Sequence, residues 1–171
     1  MAAATLSRDP YKTFRFKVFF SKPDGTFDNK KPVAGVNSVS ALTQTTEPIE
    51  FRGGNDSLAM KTTPGQTNYE PVTLERGLTT STDFQDWAQK LDPNDTTKTE
   101  YEDDFRKNVK IVLCDENGNE AIFFILANCW VSEYNAMPDL DAGDNAIAIE
   151  SITLEHEGWG EEQDIDWAWK I

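Results

Sequence analysis

Residues 61–91 have the sequence KTTPGQTNYEPVTLERGLTTSTDFQDWAQKL, which holds a turn signal, a strand and a helix. Pro64–Gly65 predicts a turn. Val72 and Leu74 then alternate with polar residues, as expected for one apolar face of a strand. Gly77 and the Thr/Ser cluster behind it end that strand. The segment therefore predicts a strand that leads directly into a helix.

The helix is predicted over about 82–91. Thr82 is the expected N-cap, and Gln85 would complete a capping box. One helical face carries apolar residues at i, i+3, i+4 and i+7, namely Phe84, Trp87, Ala88 and Leu91. Asp92–Pro93 ends the helix. A short helix with a Phe and a Trp on one face must bury that face against a sheet.

The remaining elements predict that sheet. Four further strands are expected, over 13–20, 33–40, 105–114 and 121–130, and a last one over 146–156. In 13–20, Phe14, Phe16, Val18 and Phe20 share one face. Asn117–Gly118 predicts a hairpin turn, and the run 121–130 is apolar on both faces.

The last strand changes phase along its length. Ile147 and Ile149 share one parity, whereas Ile152 and Leu154 share the other. A bulge near Glu150–Ser151 would reconcile them, as would a strand that passes from one sheet to another. Residues 132–145 before it are predicted to be a loop.

Residues of about 40–61 predict a long hairpin with a polar tip at 53–56. Pro48 excludes the segment from a central strand. Ile49 and Phe51, with Leu58 and Met60 across the tip, give the hairpin an apolar face. The residues alone leave two possibilities open. The hairpin folds back on its own sheet, or a partner covers it.

The composition indicates one globular domain. The chain has 171 residues, a net charge of −14 and 38% hydrophobic residues. The negative charge argues against general nucleic-acid binding and against docking on anionic membranes. No apolar run is long enough to span a membrane, and residues 1–10 lack the apolar core of a signal peptide. We therefore expect synthesis in the cytoplasm and no membrane anchoring by this chain.

Catalytic and metal signals are weak. Cys114 and Cys129 are predicted to be reduced structural thiols. His156, the single histidine, lies between Glu155 and Glu157, and we expect it to form a structural hydrogen bond. Asp139, Asp141 and Asp144 with Glu150 echo a calcium loop but lack its central Gly. Neither a catalytic residue nor a cofactor or metal is predicted. Paired carboxylates for glycoside hydrolysis stay open only because acidic residues are abundant.

Two motifs carry a resemblance. TPGQTNYEPVTLERG at 63–77, followed at once by the helix, and PDLDAGDNAIAIESITLEHEGW at 138–159 resemble the tail-tube proteins of contractile phages. They equally resemble the inner-tube proteins of extracellular contractile injection systems and, more distantly, the type VI secretion tube. The resemblance covers roughly residues 9–159.

The resemblance implies a mainly β fold, a tail-tube-type β-barrel or sandwich of two packed antiparallel sheets with one short helix and a long hairpin arm. It implies one domain over 1–159, with a flexible N-terminal arm at 1–10. Residues 160–171 form an acidic, Trp-containing C-terminal tail outside the family pattern. Three apolar residues of this tail alternate, which slightly favours its docking over a partly ordered terminus.

The implied function is that of an inner-tube subunit in a phage tail or phage-tail-like particle. Stacked hexameric rings would conduct DNA or effector protein through the lumen, and sheath contraction would drive the tube through the target envelope. The implied partners are the chain itself, sheath, baseplate and terminator or cap proteins, and luminal cargo. Subunit-interface residues would be Ile49, Phe51, Arg52, Asn55, Asp56, Glu155, His156 and Glu157. Packing or junction residues would be Tyr69, Arg76, Phe84 and Trp87.

One alternative from a different class remains. A monomeric β-sandwich could bind a ligand such as a glycan, with Trp159, Trp167 and Trp169 as an exposed platform.

Overall fold

The computed structural model describes residues 15–51, 61–92, 105–138 and 147–160. Within these ranges the chain forms nine strands and one helix. In chain order they are β1 (Phe16–Phe20), β2 (Val36–Val39), β3 (Gln44–Phe51), β4 (Lys61–Tyr69), β5 (Val72–Gly77), α1 (Asp83–Gln89), β6 (Lys107–Cys114), β7 (Glu120–Asn135), β8 (Ile149–Glu155) and β9 (Trp159–Gly160). The predicted mainly β fold with one short helix is confirmed.

Seven strands form one antiparallel sheet in the order β1-β6-β7-β8-β5-β2, and β9 pairs with β7. The first part of β7 pairs with β6 and β9, whereas its last part pairs with β8. We call β1, β6, β9 and the first part of β7 the first half-sheet. The last part of β7 with β8, β5 and β2 is the second half-sheet. Strands β3 and β4 form a separate two-stranded sheet, the hairpin arm.

A bend at Asn128 accompanies the change of partner in β7. Asn128 has φ 52°, in the left-handed region that asparagine tolerates better than most residues. Its backbone N–H is satisfied by the side-chain oxygen of Asn108 at 2.9 Å. Immediately beyond the bend, Cys129 pairs with Lys107 of β6 and Trp130 pairs with Glu155 of β8. The strand that passes from one half-sheet to the other is therefore β7, not the last strand.

The main core combines side chains of both half-sheets with the helix. Val72 and Leu74 of β5 are fully buried in it, as their alternation predicts. Phe84 and Trp87 of α1 are also fully buried, so the predicted apolar face of the helix is confirmed at these two positions. Burial of such side chains contributes about 1.5–3 kcal/mol each. The rest of the core cluster comprises Val18, Val109, Ile111, Leu126, Cys129, Val131, Ile152 and Leu154.

The other face of the first half-sheet carries a second, smaller apolar cluster. Phe19, Val112 and Cys114 are buried there, with Phe27 and Phe123 packed against them. Both faces of this half-sheet thus carry apolar side chains, in agreement with the apolar character of 121–130. Cys114 and Cys129 are buried and unbridged, so the prediction of reduced thiols is confirmed.

The helix begins as predicted, but the capping box is wrong. Thr82 is the N-cap residue, yet no side-chain cap hydrogen bond forms. The Thr82 hydroxyl instead donates to the Asp86 carboxylate at 2.8 Å. The helix also ends earlier than predicted, at Gln89, and Leu91 is left partly exposed.

Pro64–Gly65 is not a turn. Both residues lie inside β4, where Pro64 stands opposite Pro48 of β3. The pairing register shifts between Thr46 and Pro48. Neither proline can donate a ladder hydrogen bond, and an exposed arm with a local irregularity tolerates that loss. The arm is therefore longer than predicted, because its second strand begins at Lys61, the predicted end of the arm, and continues to Tyr69.

The bulge predicted near Glu150–Ser151 is absent. The β5–β8 ladder runs without a shift from Val72↔Leu154 to Gly77↔Ile149. Glu150 occupies the inward position that an apolar residue would normally take, and it is buried. Ile147 and Ile149 are exposed instead, which explains the apparent change of phase. The loop predicted over 132–145 is also wrong at its start, because β7 continues to Asn135.

Several predictions fall outside the described residues. They are the N-terminal arm at 1–10, Phe14, the hairpin tip with Arg52, Asn55 and Asp56, the apolar pair Leu58 and Met60, the acidic residues Asp139, Asp141 and Asp144, and the tail with Trp167 and Trp169.

Candidate assembly site

The hairpin arm stands away from the core. All eight residues of β3 are exposed, and those described in β4 are exposed or half-buried. Ile49 is 52% exposed and Phe51 is 50% exposed, and they lie on the same face of β3 because they are two residues apart. The predicted apolar face of the arm is therefore present on β3 and open to solvent.

A glycine allows Ile49 to lie flat across the arm. A Cβ at Gly65 would stand 2.8 Å from both the Glu47 carbonyl oxygen and Ile49 Cγ1. Real Cβ atoms do not approach that closely, so only glycine fits at this position. The Pro-Gly pair that predicts a turn has a different physical role, which is to admit a neighbouring backbone and side chain.

The base of the arm is held by His156. Its Nε2–H donates to the Glu70 carbonyl at 3.1 Å, and its ring centroid lies 5.7 Å from that of Tyr69. The Glu70 N–H in turn donates to the Thr43 carbonyl across the arm at 3.1 Å. His156 thus makes the expected structural hydrogen bond, and the structure brings it together with Tyr69, a residue predicted in a different motif.

Glu157 belongs to a polar cluster at the bend of β7. It accepts hydrogen bonds from the Asn128 side-chain amide at 2.7 Å and from Arg106 at 2.5 Å. These hydrogen bonds, first that of Asn128, hold the pKa of Glu157 below its usual range. The carboxylate therefore joins three segments around the bend: the start of β6, the middle of β7 and the turn before β9.

A buried ion pair lies beneath the helix. Arg76 of β5 is fully buried, and its Nε donates to Glu150 Oε1 of β8 at 2.5 Å. Its Nη2 donates to the Ser81 carbonyl at 2.7 Å, and its guanidinium stacks over the Phe84 ring at 4.2 Å. The second Glu150 oxygen accepts from the Tyr134 hydroxyl at 3.2 Å. Arg76 therefore joins the second half-sheet to the start of α1.

Trp87 joins the helix to the first half-sheet. Its indole N–H donates to the Phe105 carbonyl at 2.7 Å, and its ring makes an edge contact with Phe20 at 4.7 Å between centroids. The Lys107 ammonium lies 5.3 Å from the same ring. Together with Arg76, Trp87 makes α1 the junction of the two half-sheets.

Five of the predicted site residues form two groups, whereas Ile49 and Phe51 lie along the arm and Glu157 lies at the bend of β7. Arg76, Phe84 and Trp87 lie together under the helix, while Tyr69 and His156 meet at the base of the arm. Glu155 ends β8 opposite Trp130 and shares neither group. Residues that the sequence reasoning missed are Tyr134, Glu150, Asn128 and Arg106. The sequence does indicate an inward position for Glu150, because it lies on the same strand face as the apolar Ile152 and Leu154.

The described residues offer no evident metal chemistry. No group of three or more His, Cys, Asp or Glu side chains among them is placed to hold a metal ion. Glu150, the last acidic residue of the calcium-like spacing, is committed to Arg76. No helix in the described ranges has the length and apolarity needed to cross a membrane.

The Trp159 ring does not form part of an exposed platform. It is half-buried and makes an edge contact with Phe124 at 5.8 Å between centroids. Trp159 is the one tryptophan of the glycan-binding platform that the structure describes. Its placement therefore argues against that alternative.

The family model for the T4-like virus tail tube protein gp19 matches residues 12–160, which include the arm, the helix and both half-sheets. The chain belongs to this tail tube family. This membership indicates a structural role in a tail tube. A search of curated proteins found no match.

Several solved structures share this fold. A chain in the anti-feeding prophage baseplate is 23% identical, with a TM-score of 0.71 over 89% of this chain and 95% of that one. A chain in the sheath-tube complex of the extracellular contractile injection system PVC is 24% identical, with a TM-score of 0.70 over 91% and 94%. A type six secretion system protein is more distant, at 11% identity and TM-score 0.52 over 85% and 81%. These likenesses establish the tail tube fold, whereas the strands that the structure describes do not close into a barrel.

Proposed function

We propose that this chain is the repeating subunit of the inner tube of a contractile injection particle. Six copies form a ring, rings stack into a hollow tube, and the lumen conducts cargo such as DNA or an effector protein. The observation that carries this proposal is the tail tube family match over residues 12–160. The subunit is structural and performs no catalysis.

The partners follow from the particles in which the fold neighbours were solved. Those particles include a baseplate and a sheath-tube complex. The proposed tube therefore starts at a baseplate, is surrounded by sheath protein and ends at a terminator or cap. The chain is made in the bacterial cytoplasm and becomes part of a phage tail or a phage-tail-like particle.

The arm supports assembly through its exposed apolar face. Ile49 and Phe51 would be a liability on a monomer, since large exposed apolar side chains on a strand promote association. A neighbouring subunit that covers them removes this cost. His156 and Tyr69 contribute by holding the arm at its base, and Glu157 by holding the bend of β7.

Negative-stain electron microscopy with sizing of the purified chain tests the proposal. We expect rings with a central hole and sixfold class averages, alone or stacked. Phe51→Glu should abolish rings, whereas Leu78→Glu should not, because Leu78 is equally exposed, at 49%, but lies outside the arm. A chain that stays monomeric at high concentration, also when co-expressed with sheath and baseplate proteins, would contradict the proposal.

A further inference from the structure

An apolar groove of about 370 Å³ opens at the seam between the two ends of the seven-stranded sheet. β1 and β2 are the terminal strands in the order of that sheet, and Phe16 of β1 and Val39 of β2 both contribute to its walls. No lining residue belongs to α1, so the helix does not close this side of the molecule. The lining residues are Phe16, Val39, Ser40, Leu42, Ile111, Leu113, Phe124 and Trp159.

The described part of the chain ends beside this groove. Trp159 of β9 lies on the groove wall, and Gly160 is the last described residue before the C-terminal tail at 161–171. The Trp159 indole N–H is buried and has no hydrogen-bond acceptor among the described residues, although buried donors in proteins are nearly always paired. The tail begins two residues after this donor, so a backbone carbonyl of the tail is within reach of it.

The tail has the sequence pattern of a strand with one apolar face. Its first four residues, EEQD at 161–164, are all polar and form a spacer. The remaining seven, IDWAWKI at 165–171, alternate between large apolar residues and Asp, Ala or Lys. An extended strand therefore carries four apolar side chains on one face, and these are Ile165, Trp167, Trp169 and Ile171. Water disfavours such a face, whereas an apolar groove buries it.

The spacer is long enough to return the chain to the groove. Four extended residues span at most about 14 Å, and the groove wall already includes Trp159 just before the spacer. Attachment at the groove wall keeps the tail at a high effective concentration there, which favours a contact within one chain over one between two copies. Residues 1–14 also adjoin the groove, next to Phe16, but they contain no run of alternating large apolar residues.

We infer that the C-terminal tail covers the groove of its own chain, with residues 165–171 laid across it as a strand whose apolar face points inward. Trp167 and Trp169 supply most of the apolar surface that this contact buries. A carbonyl of the tail accepts the hydrogen bond of the Trp159 indole N–H. The contact lies within one subunit, so the inference does not depend on the proposed tube function.

Protection of a thiol introduced into the groove tests this contact. Leu42→Cys places a thiol on the groove wall, and the native Cys114 and Cys129 are buried. We expect a maleimide to label the introduced thiol roughly tenfold faster after deletion of residues 161–171, because the deletion removes the cover. Deletion of residues 1–10 is the matched control and should leave the labelling rate unchanged. Equal rates with and without the tail would overturn the inference.

Substitutions on the two faces of the tail sharpen the test. Trp167→Asp places a charge on the apolar face and should speed the labelling of Leu42→Cys nearly as much as the deletion does. Ala168→Asp places the same charge on the opposite face and should leave the labelling rate unchanged. Both positions lie outside the described strands, so the described sheet is the same in both variants. An equal effect of the two substitutions would contradict a strand with one buried face.

Cross-linking separates a contact within one chain from a contact between two copies. A short bis-maleimide should join Leu42→Cys to Trp169→Cys within one chain, which intact mass spectrometry detects as a monomer plus one linker. Leu78→Cys in place of Leu42→Cys should not give this product, because residue 78 is exposed but outside the groove. A mixture of the two single variants should give no covalent dimer. A dimer from the mixture would show that the groove receives the tail of a second copy, and it would overturn the inference.

Discussion

Arg76 and Glu150 illustrate how a charged pair can occupy the core of a β protein. Each side chain stands at an inward position of its strand, directly opposite the other in the β5–β8 ladder. Removal of one partner leaves an uncompensated buried charge, whereas joint replacement by apolar residues of similar size removes the cost of desolvation as well.

We therefore expect Glu150→Leu to lower the free energy of unfolding by about 3–5 kcal/mol. The double variant Arg76→Met/Glu150→Leu should lose less of its free energy of unfolding than this single variant, because no buried charge remains. Urea unfolding monitored by tryptophan fluorescence measures both, and Glu133→Gln on the exposed part of β7 serves as the control. A double variant less stable than Glu150→Leu would show that the Arg76 contacts to Ser81 and Phe84 outweigh desolvation.

Glu157 makes stability depend on acid pH. Its pKa is lower in the folded chain than the ordinary value of 4.5. Its stabilising contribution is thus complete above about pH 4.5 and is lost as the pH falls through the lower folded pKa. The contribution should stay below about 1 kcal/mol, because the side chain is 40% exposed and solvent screens it.

Thermal unfolding midpoints between about pH 3 and 7 test this dependence. Glu157→Gln should lower the unfolding midpoint at pH 7. Between about pH 5 and 3, the midpoint of this variant should fall less than that of the parent chain. Glu133→Gln removes a charge of the same sign on an exposed part of β7. In this control, the decrease of the unfolding midpoint with acid pH should equal that of the parent chain. Parallel curves for Glu157→Gln and the parent would exclude a role for this carboxylate.

The native thiols should be inert. Burial strongly raises the pKa of the Cys129 thiol, so its reactive thiolate is absent at neutral pH, and Cys114 is buried as well. We expect no maleimide labelling of the folded chain at pH 7 and labelling of two thiols in urea, measured by mass spectrometry. Labelling of one thiol in native buffer would reveal local opening of the sheet.

Among the elements, the hairpin arm depends on a single glycine. Gly65→Ala places a methyl group against the Glu47 carbonyl and Ile49, so β3 and β4 must separate locally. Hydrogen exchange of the arm amides should become faster by roughly tenfold, which corresponds to about 1.4 kcal/mol of local opening. Gly77→Ala is the matched control, since a Cβ there meets no atom within 4 Å. Equal exchange in both variants would show that the arm adjusts without separating.

The elements that the sequence predicts best are those whose signal is local. The apolar face of α1 and the alternation of Val72 and Leu74 depend on neighbours in the chain. The full length of β7 was not predictable, because the strand changes partner at Asn128 and both its partners are remote in sequence. The inward position of Glu150 is not predictable for the same reason. A carboxylate at a buried position requires a partner, and its partner Arg76 lies on a strand that is remote in sequence.

The charge of the whole molecule should oppose its assembly. Each chain carries a net charge of −14, so subunits in a ring repel one another. Raising NaCl from about 0.01 to 0.15 M shortens the screening length from about 30 to 8 Å. We expect the proportion of rings to increase over this range in analytical ultracentrifugation, and sucrose of equal osmolarity to have no such effect. A decrease with salt would instead indicate an interface held by ion pairs.

For the molecule as a whole, the two motifs at 63–77 and 138–159 were sufficient to indicate the tail tube fold. The exposed apolar pair Ile49 and Phe51 is predictable, because an alternating apolar pair beside Pro48 has no place in a central strand. A subunit contact at these two residues is implied by the resemblance and stays a prediction. The polar cluster of Arg106, Asn128 and Glu157 is not predictable, since its residues come from segments that meet only in the folded chain.

The change of partner in β7 links the two half-sheets through one continuous strand. β7 runs from Glu120 to Asn135 and pairs with β6 as far as Cys129 and with β8 from Trp130 onward. A pulling force applied along this strand is therefore shared by the hydrogen-bond ladders of both half-sheets, so we expect the two half-sheets to unfold together under mechanical load.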